Sequence, residues 1–323
     1  MGVKTQLAVG GTKVKVSNLD KVFYPKTGFT KGDVIDYYVR VSPFLLPHLK
    51  GRPITLKRFP DGVDGFFFYE KRCPAHRPGW VKTAKVTRSK GGRIDYCLFN
   101  DLRALIWAVN LADLELHTFL HKAPALERPT AVAFDLDPGL RADIILCGRV
   151  ALRLKAMLDA TGLQSFPKTS GSKGLQIYVP LNQRVTYEQT KAFAHAVTKA
   201  LEAALPDAVV AQQQKSRREG KVLVDWGQND AHKTTINVYS LRAMDHPTVS
   251  TPVTWREIED AVKRNNARLL SFEASEVLKR VERRGDLFAP VLRLKQTLPA
   301  AGTAARRLPV RAAAEGKGRA RRL

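Results

Sequence analysis

Two aspartates at the end of an apolar run are the residues of this chain best placed to do chemistry. Residues 131–134 predict a buried strand, and Asp135 and Asp137 follow before the turn Pro138-Gly139. Because alternate residues of a strand share one face, both carboxylates leave the strand side by side. Carboxylates this close repel each other, so one is expected to take up a proton unless a divalent cation binds. Oxygen ligands at this spacing favour Mg²⁺ or Mn²⁺.

A third aspartate repeats the pattern later in the chain. Asp225 ends the apolar run Val222-Leu223-Val224, as Asp135 ends its own. If the two strands are neighbours, three carboxylates meet at one point, which favours a metal site. The alternative for an isolated Asp-x-Asp is a polar junction between a strand and a turn.

A turn of small residues with one lysine, Ser170-Gly171-Ser172-Lys173-Gly174, lies between two predicted strands. Backbone N–H groups of such a turn can surround phosphate oxygens. The spacing is not that of a Walker A loop and no helix follows, so the turn alone is a weak signal.

The net charge indicates a polyanionic partner. The chain carries 54 Lys and Arg against 30 Asp and Glu, a net charge of +24. Residues 293–323 hold nine of the basic residues and only Glu315, so this basic segment is expected to be disordered. The folded part is also strongly basic, and nucleic acid is the partner that this favours. Nonspecific basicity is the alternative.

Composition and cysteine usage indicate an ordinary globular chain with a sizeable core. Hydrophobic residues make up 44% of the 323, and no run of about 18 apolar residues predicts a membrane span. The start MGVKTQLAVGG lacks the apolar region of a signal peptide, which predicts a cytoplasmic protein associated with the nucleoid. Cys73, Cys97 and Cys147 are odd in number and widely spaced, so we expect reduced thiols. Cys73 and His76 form half of a zinc motif that no second pair completes.

Basic and aromatic residues around a predicted helix suggest contacts with nucleic acid. Lys21, Lys26 and Lys31 cluster at the start of a helix over residues 31–49 that Thr30 caps. A helix start favours phosphate, whereas a solvated lysine face is an equally open interpretation. Residues 66–69 are four consecutive aromatics, of which two should face solvent or a groove, where bases could stack. A strand buried on both faces is the alternative for Phe67.

The periodicity of apolar residues predicts the strands and helices of the chain. Predicted strands cover 13–16, 54–58, about 84–87, 94–98, 114–119, 165–169, 175–179, 209–212, 222–225 and 233–239. Predicted helices cover 31–49, 101–111 after Asn100, 142–161, 187–205 after Thr186, 254–264 with a Thr254–Glu257 capping box, and 275–284. The strand over 114–119 contains His117, which on these grounds alone is more often structural than a ligand.

Six motifs, in order along the chain, together resemble one protein family. They are Ser-Asn-Leu-Asp-Lys-Val-Phe-Tyr-Pro (17–25), Gly-Arg-Pro-Ile-Thr-Leu-Lys-Arg-Phe-Pro (51–60), Phe-Asp-Leu-Asp-Pro-Gly (134–139), Thr-Ser-Gly-Ser-Lys-Gly-Leu-Gln (169–176), Val-Asp-Trp-Gly-Gln-Asn (224–229) and Lys-Thr-Thr-Ile…Tyr-Ser-Leu-Arg (233–242). The family is the polymerase domain of bacterial ligase D, a branch of the archaeo-eukaryotic primase superfamily used in non-homologous end joining.

The resemblance implies roles for individual residues. Asp135, Asp137 and Asp225 match catalytic aspartates that hold two divalent ions, Mn²⁺ or Mg²⁺. His117, Ser170, Lys173 and Arg242 match residues that hold the triphosphate of the incoming nucleotide, and Arg218, Gln228 and Lys233 match positions near that pocket. Lys21 and Lys31 match lysines that bind the 5′-phosphate of the downstream DNA strand, and Phe68 and Tyr69 match aromatics at the template and gap.

The resemblance also implies a fold and an activity. The expected fold is α+β, a mixed and largely antiparallel sheet core with flanking helices. Residues 13–290 would form the catalytic domain in two interlocked modules, between a flexible lead (1–12) and the basic tail (291–323). The expected enzyme is a stand-alone, template-dependent nucleotidyltransferase that extends primers and fills short gaps in DNA break repair, with NTPs preferred to dNTPs. Its partners would be DNA with a 5′-phosphate, a separate ligase and an end-binding protein of the Ku type.

One departure from the family keeps two rival functions open. Many members carry His where this chain has Gln176, and glutamine cannot become cationic. The chain could therefore be a DNA-end-binding scaffold with little catalysis. The same acids could also serve a metal-dependent phosphoesterase, although such an enzyme needs no triphosphate pocket like that implied for Ser170, Lys173 and Arg242.

Overall fold

Alternating apolar residues build two large β-sheets, beside three two-stranded ones in the described residues, and helices cover the faces that these residues bury. The computed structural model describes residues 4–9 and 11–299. The strands are β1 (Lys4–Val9), β2 (Thr12–Ser17), β3 (Val22–Tyr24), β4 (Phe29–Thr30), β5 (Pro53–Arg58), β6 (Phe68–Glu70), β7 (Lys82–Thr87), β8 (Arg93–Leu98), β9 (Asp113–Thr118), β10 (His121–Lys122), β11 (Ala125–Pro129), β12 (Ala131–Pro138), β13 (Phe166–Thr169), β14 (Leu175–Pro180), β15 (Val209–Val210), β16 (Val222–Asp225) and β17 (Thr235–Ile236). The helices are α1 (Lys31–Leu49), α2 (Leu102–Asn110), α3 (Ile144–Ala160), α4 (Tyr187–Ala204), α5 (Trp255–Arg264), α6 (Ala274–Arg284) and α7 (Pro290–Arg293).

The first sheet carries the aspartates. Its strand order is β13-β14-β12-β16-β15, and all pairs are antiparallel except β15 with β16. Along β12, Val132, Phe134 and Leu136 are fully buried in a core shared with α3, α4 and α5. The alternation of a strand therefore turns Asp135 and Asp137 to the opposite face. Burial of each of the three large apolar side chains contributes about 1.5–3 kcal/mol, which fixes which face the carboxylates take.

The second sheet supplies the other wall of the site. Its strand order is β17-β9-β5-β8-β7, with β6 paired to the end of β5. Helices α1, α2 and α6 pack in its core, which also takes in Ala131 and Ala133 from the aspartate face of β12. The mixed, largely antiparallel arrangement with flanking helices confirms the predicted α+β class.

Side-chain caps begin the helices at most of the predicted positions. Thr30, Thr186 and Thr254 each form a capping box with the residue three positions later. Helix α2 differs from the prediction, because Asp101 rather than Asn100 accepts a hydrogen bond from the N–H of Ala104. Asn100 instead accepts from Gly51 N at 2.8 Å, so it joins two loops.

One carboxylate, Glu257, ties α5 to α6 and should make the fold sensitive to acid. It accepts hydrogen bonds from both terminal nitrogens of Arg280 at 2.6 Å and from Arg284 at 2.8 Å. Burial alone would raise the pKa of Glu257, but these arginine bonds and Thr254 outweigh it and lower the pKa to about 2. Its contribution is therefore fully present above the usual glutamate pKa and is lost as the pH falls toward 2.

We expect Glu257→Gln to lower the free energy of unfolding by about 2–3 kcal/mol near neutral pH. The difference between wild type and variant should shrink as the pH falls from 6 to 3, because the unfolded chain then takes up a proton on Glu257 that the folded chain does not yet bind. Denaturant unfolding across this range measures it, with Glu259→Gln on the exposed face of α5 as the control. A difference that stays constant with pH would contradict the assignment.

The structure corrects two further expectations from the sequence. Cys73 and Cys97 form a disulfide with a Cα–Cα distance of 4.9 Å, so only Cys147 of the three cysteines is a free thiol. The pairing arises because Cys73 N bonds to Asp95 O, which brings the loop before β7 onto β8. The predicted strand over 233–239 shortens to β17, which pairs with β9 at Thr235 and Ile236, and the chain leaves the extended conformation by Tyr239, whose φ is +63°.

The chain ends also differ from the expected flexible segments. Within the predicted lead over residues 1–12, β1 pairs in antiparallel register with β2, from Lys4 opposite Ser17 to Val9 opposite Thr12. Within the predicted tail, Gln296 bonds to Leu181 O, Pro180 O and Gln164 O, which anchors the segment after α7. The remainder of the tail, residues 300–323, lies outside the described residues. A helix with the length and apolarity needed to cross a membrane does not occur in the described ranges.

Candidate functional site

The three predicted aspartates lie on neighbouring strands. Strand β12 pairs with β16 so that Asp135 stands directly opposite Asp225, and Asp137 stands opposite Leu223 two positions on. The condition set by the sequence, that the two acid-ended strands are neighbours, is therefore met. The pairing follows from the buried runs on both strands, which place a carboxylate at the same edge of each.

Charge accumulates at this edge and raises the pKa of both β12 carboxyls. Burial, and next the adjacent Asp137, raise the pKa of Asp135 to about 7, against a hydrogen bond from Gln176 and the charge of Lys168. Burial also raises the pKa of Asp137, and Asp225 adds to this, while Arg218 and Arg242 oppose it. The expectation that one of the pair takes up a proton agrees with these shifts. A bound cation would remove the cause, since it stabilises both ionised forms.

Asp225 is turned toward protein donors. Its Oδ1 accepts from Gly227 N at 2.8 Å, and its Oδ2 accepts from the side-chain amides of Gln228 at 3.0 Å and Gln213 at 3.2 Å. Within residues 4–9 and 11–299 no group of three or more His, Cys, Asp or Glu side chains is close enough to hold a metal ion.

The donor set at this edge nevertheless fits a divalent cation. Asp135 and Asp137 are half-buried, share one face and repel each other, and only oxygen atoms are offered as ligands. Such hard oxygen donors suit Mg²⁺ or Mn²⁺. A cation between Asp135 and Asp137 would therefore suit this donor set, with Asp225 as the neighbouring third carboxylate.

A single cavity of about 450 Å³ collects most of the predicted site residues. Its walls include Tyr69, His117, Asp135, Asp137, Ser170, Ser172, Lys173, Gln176, Arg218, Gln228, Thr234 and Arg242. Residues far apart in sequence thus face one space, between the aspartate edge of the first sheet and strand β9 of the second. A cavity of this volume is in the range of small-molecule sites.

The turn over residues 170–174 is shaped by its first serine. Ser170 Oγ accepts from Gly174 N at 3.1 Å and from Ser172 N at 3.2 Å, and Ser170 N bonds to Gly174 O. Gly174 has no room for a side chain, because a Cβ would lie 2.1 Å from Leu136 O. The turn is therefore held tightly against β12, and it presents the exposed Lys173 side chain at the cavity.

A buried glutamate on β9 organises the opposite wall. Glu115, 1% exposed, accepts from Lys57 Nζ at 3.2 Å, His117 Nε2 at 3.0 Å and Ala243 N at 2.9 Å. Arg242 Nε lies 3.3 Å from the same carboxylate, and Arg242 Nη1 donates to Ser170 O at 2.5 Å. Burial would raise the pKa of Glu115, but His117, Arg242 and Lys57 hold it well below the usual range.

His117 and Arg242 owe their positions to this glutamate. Burial lowers the pKa of His117, while the hydrogen bond to Glu115 partly opposes the shift. Tyr69 packs edge-on against the His117 ring with the centroids 5.9 Å apart. The imidazole is thus clamped between a carboxylate and an aromatic edge, where it borders the cavity.

The loop that carries Arg218 is packed against the turn after Asp137. Gly139 N bonds to Lys221 O, and a Cβ on Gly139 would lie only 1.7 Å from Arg218 O. Within the described ranges, the buried atoms Arg218 Nε and Gln228 Oε1 have no hydrogen-bond partner. Unpaired buried polar atoms are costly, so both are available to a ligand in the cavity.

Five predicted site residues do not line the cavity, namely Asp225, Lys233, Phe68, Lys21 and Lys31. Lys233 is exposed beside Thr234, which does line the cavity. Phe68 is half-buried under the Arg58 guanidinium, 5.1 Å away, and stacks on Phe66. Of the consecutive aromatics, Phe66, Phe67 and Tyr69 are exposed, so the interpretation of Phe67 as buried on both faces is wrong.

The two lysines assigned to a 5′-phosphate lie together at the start of α1 but differ in exposure. Lys21 Nζ donates to Pro60 O at 2.7 Å and to Asp61 Oδ1 at 2.8 Å, and its side chain is 38% exposed. Lys31 is buried, and its Nζ donates to Ser17 O and Asn110 Oδ1. Burial and the charge of Lys21 lower the pKa of Lys31 to about 8. The phosphate role of both residues stays a prediction.

Sequence reasoning missed two buried charges that border the site, Glu115 and Lys168. Glu115 stands two residues before His117 in an alternating strand, so a shared face was the available signal. Lys168 sits in a four-residue strand, where a lysine normally points to solvent, and its burial depends on neighbours that its own segment does not reveal.

Comparison with known proteins agrees with this geometry. A model of the LigD primase-polymerase domain matches residues 30–288. The chain is 41% identical over 281 residues to the multifunctional non-homologous end joining protein LigD of Mycolicibacterium smegmatis, covering 86% of this chain and 36% of that protein. It is 31% identical to the bifunctional LigD of Bacillus subtilis, covering 89% of this chain and 45% of that protein.

A solved structure extends the likeness to the fold. The polymerase domain from Mycobacterium tuberculosis ligase D, in complex with DNA, matches with a TM-score of 0.81 and 39% identity. The match covers 88% of this chain and 99% of that one, whereas this chain spans less than half of the full-length relatives. With the aspartate edge, the phosphate-type turn and the basic cavity all present, the chain belongs to the LigD primase-polymerase domain family.

Proposed function

We propose that this chain is a DNA-templated nucleotidyltransferase that extends primers and fills short gaps during the repair of DNA breaks. The observation that carries the proposal is the cavity that joins two mutually repelling carboxylates to Lys173, Arg218 and Arg242. Transfer of a nucleotide requires negative ligands for a cation and positive groups for a triphosphate within reach of each other. The M. tuberculosis domain was solved with DNA, which supports a DNA substrate here.

Asp135, Asp137 and Asp225 would hold two divalent ions, Mn²⁺ or Mg²⁺. When bound, such ions supply Lewis-acid stabilisation of the attacking hydroxyl, the phosphates and the leaving pyrophosphate. The chain's own part is to present the ionised carboxylates at one edge of a rigid sheet. Burial and the adjacent Asp137 raise the pKa of Asp135, and a bound cation would favour its ionised form.

The other wall would bind the triphosphate. Arg242 is aimed across the cavity by Glu115 and Ser170, and His117 is fixed by Glu115 beside it. Lys173 lies on the tight turn over residues 170–174, which borders the same cavity. Arg218, whose buried Nε has no hydrogen-bond partner in the described residues, lies in the loop packed against the turn after Asp137. Fixed positive groups around the phosphates lower the barrier because they need little reorganisation during transfer.

Several finer features of the proposal rest on family membership. They are the preference for NTPs over dNTPs, the use of gaps with a 5′-phosphate, and cooperation with a ligase and a Ku-type end-binding protein. The relatives' names place them in non-homologous end joining, which supports this setting.

One assay separates the proposed transferase from a metal-dependent phosphoesterase. A primer labelled at its 5′ end is annealed to a template and incubated with Mn²⁺ and NTPs or dNTPs. A transferase lengthens the labelled primer in steps of one nucleotide, and the basic cavity favours this result. A label that only shortens, with or without nucleotides, would refute the proposal and favour the phosphoesterase.

The proposed 5′-phosphate site predicts an effect that is limited to substrate choice. Lys21 is the more exposed of the two lysines, and a phosphate could replace its contact with Asp61. We expect Lys21→Ala to weaken binding to a gap with a 5′-phosphate about three- to tenfold and to leave a gap with a 5′-hydroxyl nearly unchanged. Binding titrations on the two gapped duplexes measure this difference.

Lys26→Ala is the matched control, because Lys26 is nearby and equally basic but pairs with Asp245 at 2.5 Å. Lys31→Ala is a poor test, since loss of a buried ammonium would leave Asn110 and Ser17 O unpaired and destabilise the fold. If Lys21→Ala weakens binding to both gaps equally, the lysine contributes only general charge and the assignment is wrong.

A further inference from the structure

Four polar side chains form one row across the first sheet. On adjacent strands Lys168 pairs with Gln176, Gln176 pairs with Asp135, and Asp135 pairs with Asp225. The row thus runs from a lysine on the edge strand β13 to the carboxylates on β12 and β16. Residues in such positions are direct cross-strand neighbours, so their side chains can interact in sequence.

The lysine at the start of the row is buried and points at the glutamine. Lys168 is 1% exposed, and its Nζ donates to Gln176 Oε1 and to Ser250 Oγ, both at 2.6 Å. Ser250 Oγ in turn donates to Thr169 O at 3.0 Å, which leaves its lone pairs free to accept from the lysine. The ammonium is therefore anchored by two short hydrogen bonds on the side away from the cavity.

The lysine decides which way the amide of Gln176 faces. An ammonium has only donors, so the atom of Gln176 that meets Lys168 must be the carbonyl oxygen. The NH₂ group is then on the other side, where Gln176 makes a side-chain hydrogen bond with Asp135. Gln176 is 3% exposed and lines the catalytic cavity, whereas Lys168 does not line it. The hydrogen-bonded connection from Lys168 to the carboxylate thus runs through the amide, in addition to the direct effect of the lysine charge on Asp135.

We propose that Lys168 and Gln176 are positioning residues that hold the Asp135 carboxylate with one oxygen bound to the amide and the other free for a divalent cation. This inference rests on the proposed function, in which Asp135 holds such an ion. A hydrogen bond from a neighbour orients a metal ligand, and loss of such a bond typically costs about 10- to 100-fold in metal affinity.

The same arrangement predicts which side chains position 176 can tolerate. A neutral imidazole has one acceptor nitrogen and one donor nitrogen, and could accept from Lys168 and donate to Asp135. Glutamine offers the same acceptor and donor in one amide. The property that matters at position 176 is therefore this polarity and not the ability to carry a positive charge.

Mn²⁺ binding to the full chain, without DNA or nucleotide, tests the pair directly. Free Mn²⁺ is counted by its electron paramagnetic resonance signal during titration of wild type, Gln176→Met, Gln176→His and Lys168→Met. We expect Gln176→Met and Lys168→Met each to raise the Kd for Mn²⁺ about tenfold, and Gln176→His to stay within about threefold of wild type. The double variant of Lys168→Met and Gln176→Met should bind Mn²⁺ no more weakly than the single variant with the lower affinity, because both substitutions act through the contact between Gln176 and Asp135.

Arg52→Met is the matched control for Lys168→Met, since it removes another buried cation that donates to protein oxygens and that has no assigned role in the site. We expect it to lower the unfolding temperature but to leave the Kd for Mn²⁺ unchanged. If Lys168→Met does not fold, the comparison of Gln176→Met with Gln176→His still decides the matter, since Lys168 is intact in both.

The outcomes separate this inference from the function on which it rests. Wild-type affinity in Gln176→Met, or equal losses in Gln176→Met and Gln176→His, would overturn the positioning role while the metal site stands. Losses in the two single variants that multiply in the double variant would also overturn it, because the residues would then act independently. A wild-type chain that binds no Mn²⁺ would overturn the metal site and this inference together.

Discussion

Replacing both β12 aspartates, Asp135→Asn with Asp137→Asn, is expected to remove nucleotide transfer almost completely. The two carboxylates share one face of β12 and crowd each other, and burial and mutual repulsion raise the pKa of both. The substitutions keep the shape and remove both charges, so no cation can be held between them. We expect the extension rate to fall about a thousandfold or more, because several kcal/mol of charge stabilisation are lost.

The same double variant should fold at least as well as wild type. Without a bound cation, repulsion between the two carboxylates destabilises the fold. Its removal should therefore leave the unfolding temperature equal to that of wild type or raise it. Extension kinetics and thermal unfolding measured on one preparation therefore separate lost chemistry from lost structure. Substantial extension activity in a folded double variant would show that these aspartates are not the metal ligands.

Glu115→Ala is expected to have the largest effect on stability of the substitutions considered. Glu115 is 1% exposed and compensates Lys57, His117 and Arg242, which converge on it from three segments. Its removal leaves these groups without the charge that they surround. We expect a loss of about 3–5 kcal/mol in the free energy of unfolding, measured by chemical denaturation.

A graded pair of variants tests whether charge is the cause. Glu115→Gln keeps the shape and should lie between wild type and Glu115→Ala. Glu70→Ala is the control, because Glu70 pairs with Arg58 in a partly exposed site and should cost about 1 kcal/mol or less. A Glu115→Ala protein within about 1 kcal/mol of wild type would contradict the role of Glu115 as the centre of this wall.

The sequence was most informative where a pattern repeats along one strand. Val132, Phe134 and Leu136 alternate with Asp135 and Asp137, so the shared face of the carboxylates could be predicted from β12 alone. That Asp225 stands opposite Asp135 was a conditional prediction, because it required β16 to be the neighbour of β12. The α+β class followed from the family resemblance, since a strand list does not specify how strands pair.

What the sequence did not reveal depends on contacts between distant segments. Glu115 becomes the centre of a charge cluster only when Arg242 and Lys57 arrive from other strands. Lys168 is buried because Ser250, 82 residues away, covers it. The bond between Cys73 and Cys97 likewise requires the fold, which brings their Cα atoms to 4.9 Å. The periodicity of a single segment does not indicate such contacts with distant segments.

The measurement that tests the central claim most directly is addition of single nucleotides across a one-nucleotide gap. The gapped duplex carries a 5′-phosphate, Mn²⁺ is present, and each of the four NTPs is offered alone against each of the four template bases. The account predicts that the wild-type chain adds one nucleotide chiefly when it is complementary to the template, and that the preferred nucleotide switches with the template base. Tight binding to the gap without any addition would contradict the account and leave an end-binding scaffold as the better description.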